Sequence, residues 1–421
     1  MLATLYIMND IIDLISQISY EISHNPDINL VLDSIIKNIY HVIKATRVTI
    51  MFPDKEHNFL YIKAARGNFD NSIYNVRVKF GEGIAGYVAQ SRSPLFFRTK
   101  EDFKKFGISH NPLKYQNYSA ISIPIIYKDK LLGVLNLNDK INNESFTELD
   151  YKASLIIANQ SAVAIYNSIL FKHYLEKEKL RQSILIAREI QQYFLPQYFE
   201  QVPGFEIDGW GQTCDETGGD YYDYFQFFDE KLAIVIGDVA GHGIGAALIM
   251  ASARAALRAY TENLKEVEEI FFKLNNLLES NLEYSNFMTL LFLMIDANNN
   301  TLQYISAGHE GPLMFRSNSD EVIEYPSTGV ALGIIKDSKF KVSDLIKLEK
   351  GDLFILFTDG LVEVHNKNKE MLGKQRLINF IKKHKHKSVK ELKKLIIQFW
   401  FDFKEDMPQE DDISLILIKK L

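Results

Sequence analysis

The chain has a single cysteine, Cys214, among its 421 residues. A lone thiol allows neither an intrachain disulfide nor a zinc–cysteine cluster, and it fits a reducing compartment as a bystander. No apolar run reaches the uninterrupted length of about 18 residues that marks a membrane span, so none is expected. The first residues, Met1 to Met8, lack a basic stretch and run straight into Asn9 and Asp10, unlike a secretory signal. A cytoplasmic protein without a membrane partner is the expectation. Excess positive charge is absent too: the formal net charge is -6, which argues against nucleic acid as the main partner.

The remaining composition, 47% hydrophobic and 24% charged, is that of a folded protein. At this length two domains and a connector are expected. In the first, Ile11, Ile15, Ile18 and Ile22 recur at helical spacing. After a break at Asn25-Pro26, Leu30, Ile35, Ile36 and Ile39 resume it. Strand-like runs follow at 47–52, 59–64 and 76–80, then Gly81-Glu82-Gly83-Ile84-Ala85-Gly86. The runs 120–127 and 131–138 flank Lys128-Asp129-Lys130 as a hairpin. A long helix opens near Thr147, where Thr147 and Asp150 give a capping signal.

Phe80-Gly81-Glu82-Gly83-Ile84-Ala85-Gly86, Ile123-Pro124-Ile125 and Leu132-Gly133-Val134-Leu135-Asn136-Leu137 resemble a GAF domain, an α/β sensory module, over about residues 10–170. Cyclic-nucleotide-binding GAF domains resemble one another in an Asn-Lys, Phe, Asp-Glu pattern. Here Asp139 and Lys140 stand at the first pair, Phe146 and Asp150 fit the spacing, and Tyr151 replaces Glu. These four residues are ligand candidates, and the ligand itself stays open. With no cysteine in this half, a thioether-linked bilin is excluded.

Residues 174–194 contain neither glycine nor proline. Leu170, His173, Lys177, Leu180, Ile184, Ala187, Gln191 and Phe194 keep a three–four step, the seam of a weak parallel coiled coil or of one amphipathic helix. We take the dimer as the expectation. The domain plan is thus a sensor at 1–170, a helical connector at 171–196 and a second domain at 197–421.

The second domain holds carboxylates at strand ends. Asp238 and Asp359 each follow a short apolar run and precede a small residue. Asp411 and Asp412 immediately precede another such run, and Asp220 sits in the turn Gly218-Gly219-Asp220. Like charges drawn together from distant positions need cations between them. Oxygen donors without clustered His or Cys suit Mg²⁺ or Mn²⁺. Two such ions activate a water and hold a phosphoryl oxygen, the chemistry of phosphomonoester hydrolysis without a covalent protein intermediate.

Gly218-Gly219-Asp220-Tyr221-Tyr222-Asp223, Gly237-Asp238-Val239-Ala240-Gly241-His242-Gly243, Thr358-Asp359-Gly360 and Asp411-Asp412-Ile413-Ser414 resemble, in order, the motifs of metal-dependent type 2C serine/threonine phosphatases of the SpoIIE/RsbU branch. Ala187-Arg188-Glu189-Ile190-Gln191-Gln192 with Leu195-Pro196 resembles the segment preceding such domains, so the likeness spans about residues 185–421. It implies an α+β fold, a central antiparallel β-sandwich flanked by helices. It further implies that Asp238 bridges two ions. The Val239 carbonyl and a water-mediated Asp220 complete one site, and Asp359 with Asp411 the other. Asp412 is a rival to Asp411. The implied substrate is a phosphoserine or phosphothreonine on a partner protein, a STAS-domain anti-anti-sigma factor, under GAF control. His242 is either an assisting acid or a solvated loop residue. His309 is expected to be structural, and Asp223, Asp296 and Asp352 to be solvated or turn residues. Two alternatives stay open. One is a catalytically silent phosphatase-like scaffold. The other is a diguanylate cyclase, which shares a Gly-Gly-Asp turn but needs Glu-Phe where Tyr221-Tyr222 stand.

Overall fold

The structure is a computed structural model. It describes residues 27–106, 118–196, 202–281 and 286–421, without the side chains of Asn71 and Asn142. The expected helical residues Ile11 to Ile22 and the break at Asn25-Pro26 lie outside the described residues. Two compact units meet at Lys179 and Leu180.

In the first unit, α1 (Ile28–Ile43) starts where Asp27 accepts the Asn29 amide at 2.8 Å, and it ends at Lys44 with φ 56°. Its buried stripe, Val31, Leu32, Ile35, Ile36, Ile39 and Ile43, has the three–four spacing of a helix laid on a core. There follow β1 (Ala45–Pro53), β2 (Phe59–Arg66), β3 (Arg77–Lys79), α2 (Gly83–Ser91), β4 (Leu95–Phe97), α3 (Lys100–Lys105), β5 (Ala120–Tyr127) and β6 (Lys130–Lys140). The strands form one antiparallel sheet in the order β3-β2-β1-β6-β5-β4. Lys128 and Asp129, both at positive φ, make the tight β5–β6 hairpin the sequence calls for. Helix α4 (Glu148–Gln192) runs 45 residues and opens on Thr147 and Asp150. It buries Ala153, Ile157, Ala158, Ala162 and Ile165 against α1 and the sheet. By length and composition alone this helix is apolar enough to cross a membrane, a test that core helices of soluble proteins also pass.

The second unit contains β7 (Phe205–Gln212), β8 (Tyr221–Gln226), β9 (Leu232–Val239), α5 (Ile244–Asn263), α6 (Val267–Asn281), β10 (Met288–Asp296), β11 (Thr301–Ala307), β12 (Leu313–Phe315), β13 (Val322–Glu324), β14 (Ile346–Lys347), β15 (Leu353–Phe357), α7 (Gly360–Glu363), α8 (Lys374–His384), α9 (Val389–Lys404) and β16 (Ile413–Lys420). Two five-stranded antiparallel sheets form, β14-β11-β10-β9-β8 and β13-β12-β15-β16-β7. Strand alternation explains the layers. Ile234 and Ile236 of β9 meet Phe354, Leu356, Ile416 and Ile418 of the other sheet. Ala233 and Val235 point the opposite way, onto Met250, Leu257, Ile270 and Phe271 of α5 and α6. Leu353, Ile355, Leu415 and Leu417 likewise turn outward onto Leu377, Ile381, Leu392, Ile396 and Trp400 of α8 and α9. Both strand faces are buried, which is why β9 and β15 read as continuous apolar runs.

The expected connector seam does not hold along its length. Ile184 and Ala187 are half-buried, Gln191 is buried, and Phe194 packs on the second unit's core. Gln191 turns inward because the Gly218 backbone satisfies its amide: Nε2 donates to Gly218 O at 2.6 Å and Oε1 accepts from Gly218 N at 3.2 Å. The seam members Leu170 and Leu180 are exposed, as are Tyr174, Leu175, Leu185, Ile186, Ile190 and Tyr193 outside the seam.

Candidate metal centre

Asp238 is the penultimate residue of β9, opposite Thr289 of β10, and Asp220 immediately precedes β8, the neighbour of β9 on its other side. On the facing sheet, β15 runs into Thr358-Asp359, and β16 is preceded by Asp411-Asp412. These two ends are tied by Thr358 N donating to Ser414 O at 3.0 Å. Side chains then cross between the sheets. Thr358 Oγ1 donates to Asp220 Oδ2 at 2.8 Å, and Ser414 N donates to Thr358 Oγ1 at 2.8 Å. Residues from four strand ends are thereby gathered at one edge of the sandwich.

Glycine permits two of the close approaches. A Cβ on Gly219 would lie 2.9 Å from the Val239 carbonyl oxygen, and one on Gly360 would lie 2.1 Å from Asp412 O. Both neighbours are backbone and cannot swing away.

The Asp411–Asp412 pair divides its labour. Both Asp412 oxygens accept amide N–H groups, Cys214 N at 2.8 Å and Gly219 N at 2.6 Å, so this buried carboxylate clamps the Gly218–Gly219 turn. Asp411, half-buried, accepts the Asp412 amide on Oδ1 at 2.8 Å.

These carboxylates resist ionisation. Burial pushes Asp238 up to about 8, and Asp359, Asp411 and Asp412 add their fields. Asp220 is raised well above the usual carboxylate range by burial, then by Asp238 and Asp412. Burial leads again for Asp359, with Asp411 adding, and for Asp411 itself. The buried Asp220 Oδ1 has no hydrogen-bond partner among the described residues. An orphaned buried oxygen within a group of mutually repelling carboxylates and one backbone carbonyl is a donor set that fits hard divalent cations.

The other candidates fall elsewhere. His242 is exposed, its Nδ1 2.6 Å from Asp215 Oδ2, and that hydrogen bond raises its pKa. His309 is buried, with Nδ1 2.8 Å from Thr289 Oγ1, and burial lowers it to about 4, so it is neutral. Asp296 is a turn residue that accepts the Asn299 amide at 2.9 Å. Asp223 and Asp352 correct the expectation of solvated residues. Asp223 is buried, bound by Arg258 Nε at 2.8 Å and Nη2 at 2.7 Å and by Tyr221 OH at 2.8 Å. Asp352 is buried and pairs with Arg316 at 2.7 Å. Each lies in a strand or turn whose sequence offers no hint of an Arg 35 or 36 residues away.

In the first unit, all four ligand candidates have structural partners. Asp139 is buried beside Arg47, 3.7 Å away, and Phe146 belongs to the core. Lys140 and Asp150 pair at 2.7 Å, while Asp150 also accepts the Thr147 amide at 2.7 Å as the helix cap. The fold uses these residues in its own contacts. Sequence reasoning missed two residues of the centre, Thr358 as a bridge and Gln191 as a clamp. The sole signal for Gln191 was a polar residue interrupting an apolar seam. A cavity of about 900 Å³ is lined by Phe194, Arg254, Arg258 and Tyr224 and contains none of the clustered carboxylates.

Both halves of the chain are similar to known proteins. The GAF domain family matches residues 27–165, and the family Stage II sporulation protein E (SpoIIE) matches residues 229–420. Phosphoserine phosphatase RsbU of Bacillus subtilis is 29% identical over 244 residues, 58% of this chain and 72% of that protein. Protein IcfG of Synechocystis is 30% identical over 259 residues, which cover 55% of this chain but 40% of IcfG. The SiaA-PP2C domain of Pseudomonas aeruginosa superposes with a TM-score of 0.50 at 24% identity, covering 58% of this chain and 98% of that domain. The chain therefore carries a GAF domain followed by a SpoIIE-type protein serine/threonine phosphatase domain of the PP2C fold.

Proposed function

We propose that the second domain hydrolyses a phosphoserine or phosphothreonine ester on a partner protein, using two Mn²⁺ or Mg²⁺ ions. The observation that carries this is the gathering of Asp220, Asp238, Asp359 and Asp411 at one sandwich edge, with Asp238 pushed up to about 8. Asp238 would bridge both ions; the Val239 carbonyl and Asp220 would serve one, Asp359 and Asp411 the other. When bound, the ions supply an activated water and neutralise the phosphoryl oxygens. Thr358 fixes the rotamer of Asp220 through its 2.8 Å bond, so one oxygen is held by the protein and the other faces the site. Asp412 and Gln191 hold the Gly218–Gly219 turn from opposite sides and keep Asp220 in place.

The relatives' activity supports a phosphoprotein substrate, and a STAS-domain regulator is the partner we assign. The GAF domain would govern the activity through α4. Leu180, Ile186 and Ile190, exposed on its C-terminal half, and Tyr193 just beyond it supply the apolar surface for a cytoplasmic homodimer. Ile190→Asp should then shift the sedimentation coefficient toward monomer. The enzymatic reading is tested by phosphate release from a phosphoserine protein by the full chain with and without Mn²⁺. Metal-dependent release abolished in Asp238→Asn supports it. Equal release by both proteins overturns it, and no release by either favours the scaffold reading.

A further inference from the structure

The only sulfur nucleophile of the chain is not isolated. Cys214, Asp215 and His242 come together, and their ligand atoms (one S, one carboxylate O, one ring N) all lie within 4.8 Å of one another. The gathering is built by the fold. Cys214 N is anchored to Asp412 Oδ1 at 2.8 Å, and Thr213 Oγ1 donates to Asp215 O at 2.7 Å, so the turn carrying both ligands is fixed. His242 sits between Gly241 and Gly243, whose φ values of 86° and 79° let the loop double back toward that turn. Cys214 is half-buried while Asp215 and His242 are exposed, which leaves an entry path and an open side for a water.

We propose that Cys214, Asp215 and His242 form a separate site for a soft divalent cation of the Zn²⁺ class, beside the carboxylate centre. The donor set decides the class. The carboxylate centre offers oxygen alone and suits hard ions, whereas a sulfur, an imidazole nitrogen and one carboxylate oxygen, with a water in fourth place, are tetrahedral zinc ligands. For one ligand pair the adjustment is small. Nδ1 of His242 and Oδ2 of Asp215 stand 2.6 Å apart across a hydrogen bond. Two ligands about 2.0 Å from a tetrahedral ion are about 3.3 Å apart, so replacing the shared proton by a cation opens the pair slightly. On binding, the thiol gives up its proton to solvent, because a coordinated thiol is held as thiolate, while the neutral His242 ring carries its one proton on Nε2 and ligates through Nδ1. An ion here ties the 213–215 turn to the Gly241–Gly243 loop that follows Asp238 and Val239.

The single cysteine makes the test clean, since every sulfur signal comes from Cys214. Co²⁺ is added to the metal-free full chain. The expected result is a sulfur-to-cobalt charge-transfer band in the near ultraviolet with intense tetrahedral d–d bands. These vanish in Cys214→Ser and are displaced by Zn²⁺ but not by excess Mn²⁺. Superposable spectra of wild type and Cys214→Ser, or displacement by Mn²⁺ as readily as by Zn²⁺, would overturn the site. As a second measurement that needs no cysteine variant, Zn²⁺ should slow alkylation of Cys214 in the Mn²⁺-saturated wild type. His242→Ala should weaken that protection by more than about tenfold, since even an outer-shell partner is worth that much. An alkylation rate indifferent to Zn²⁺ would contradict the proposal.

Discussion

Aspartates occur in both units in comparable local settings, near strand ends and turns, but their surroundings differ. In the first unit, Asp150 is met by Lys140 and by the helix-start amide of Thr147, and Asp139 lies beside Arg47. In the second, half-buried Asp238 and buried Asp220 lie among other carboxylates, and one Asp220 oxygen has no partner among the described residues. Asp223 and Asp352 show that the second unit also pairs buried aspartates when they serve structure, each with its own arginine. What separates a structural aspartate from a proposed metal ligand here is the company it keeps, more than its burial or its place on a strand.

That contrast can be broken in graded steps. The largest effect is expected at Asp238. Asp238→Asn should cut Mn²⁺-dependent phosphate release by at least about 100-fold, as expected when several kcal/mol of charge stabilisation is lost at the transition state.

The same substitution should have the opposite effect on the metal-free fold. Folded and without cations, Asp238 keeps its proton up to about pH 8, whereas the unfolded chain releases it near pH 4 or so. Between those values the folded state binds the extra proton, so the stability of the metal-free protein falls as pH rises through that window. Asp238→Asn removes this contribution. In chelator its melting temperature should exceed the wild type's at pH 8 and approach it near pH 4. A wild type that melts higher throughout would contradict the crowding of Asp238 by its neighbouring carboxylates.

Arg258→Met leaves Asp223 buried without its two-pronged partner. Arg254 remains 3.9 Å away and Arg258 is partly exposed. The cost, read by denaturant unfolding, should be about 2 kcal/mol, below that of a fully buried pair. Gly360→Ala drives a Cβ against the Asp412 carbonyl and should cost about 1–3 kcal/mol and weaken Mn²⁺ binding. The smallest effect is expected from Asp150→Ala. Loss of the cap and its lysine pair should destabilise the first unit by about 1 kcal/mol and leave Mn²⁺ binding unchanged. A cyclic-nucleotide-dependent melting shift lost in this variant would instead give Asp150 a ligand role.

Much of this was legible in the chain. The hairpin at Lys128-Asp129, the run Leu353 to Phe357 and the strand after Asp412 are local patterns, and local patterns survive folding. The carboxylate motifs were legible for the same reason, since each sits beside an apolar run that sets its place at a strand end. What could not be read depends on partners distant in sequence. Nothing near Asp223 announces Arg258, and nothing in the connector's spacing announces that Gln191 would turn from the expected dimer seam to Gly218. Asp412, weighed only as a ligand, holds two amides from a turn nearly 200 residues earlier. Cys214 was read as a bystander because its companions, Asp215 and His242, converge only in the fold.

The most direct test of the central claim is a calorimetric titration of the metal-free full chain with Mn²⁺, beside Asp238→Asn. The carboxylate cluster predicts saturable binding of about two ions per chain, with release of protons at pH 7 and loss of binding in the variant. Binding of equal stoichiometry in the variant, or none in the wild type, would contradict it.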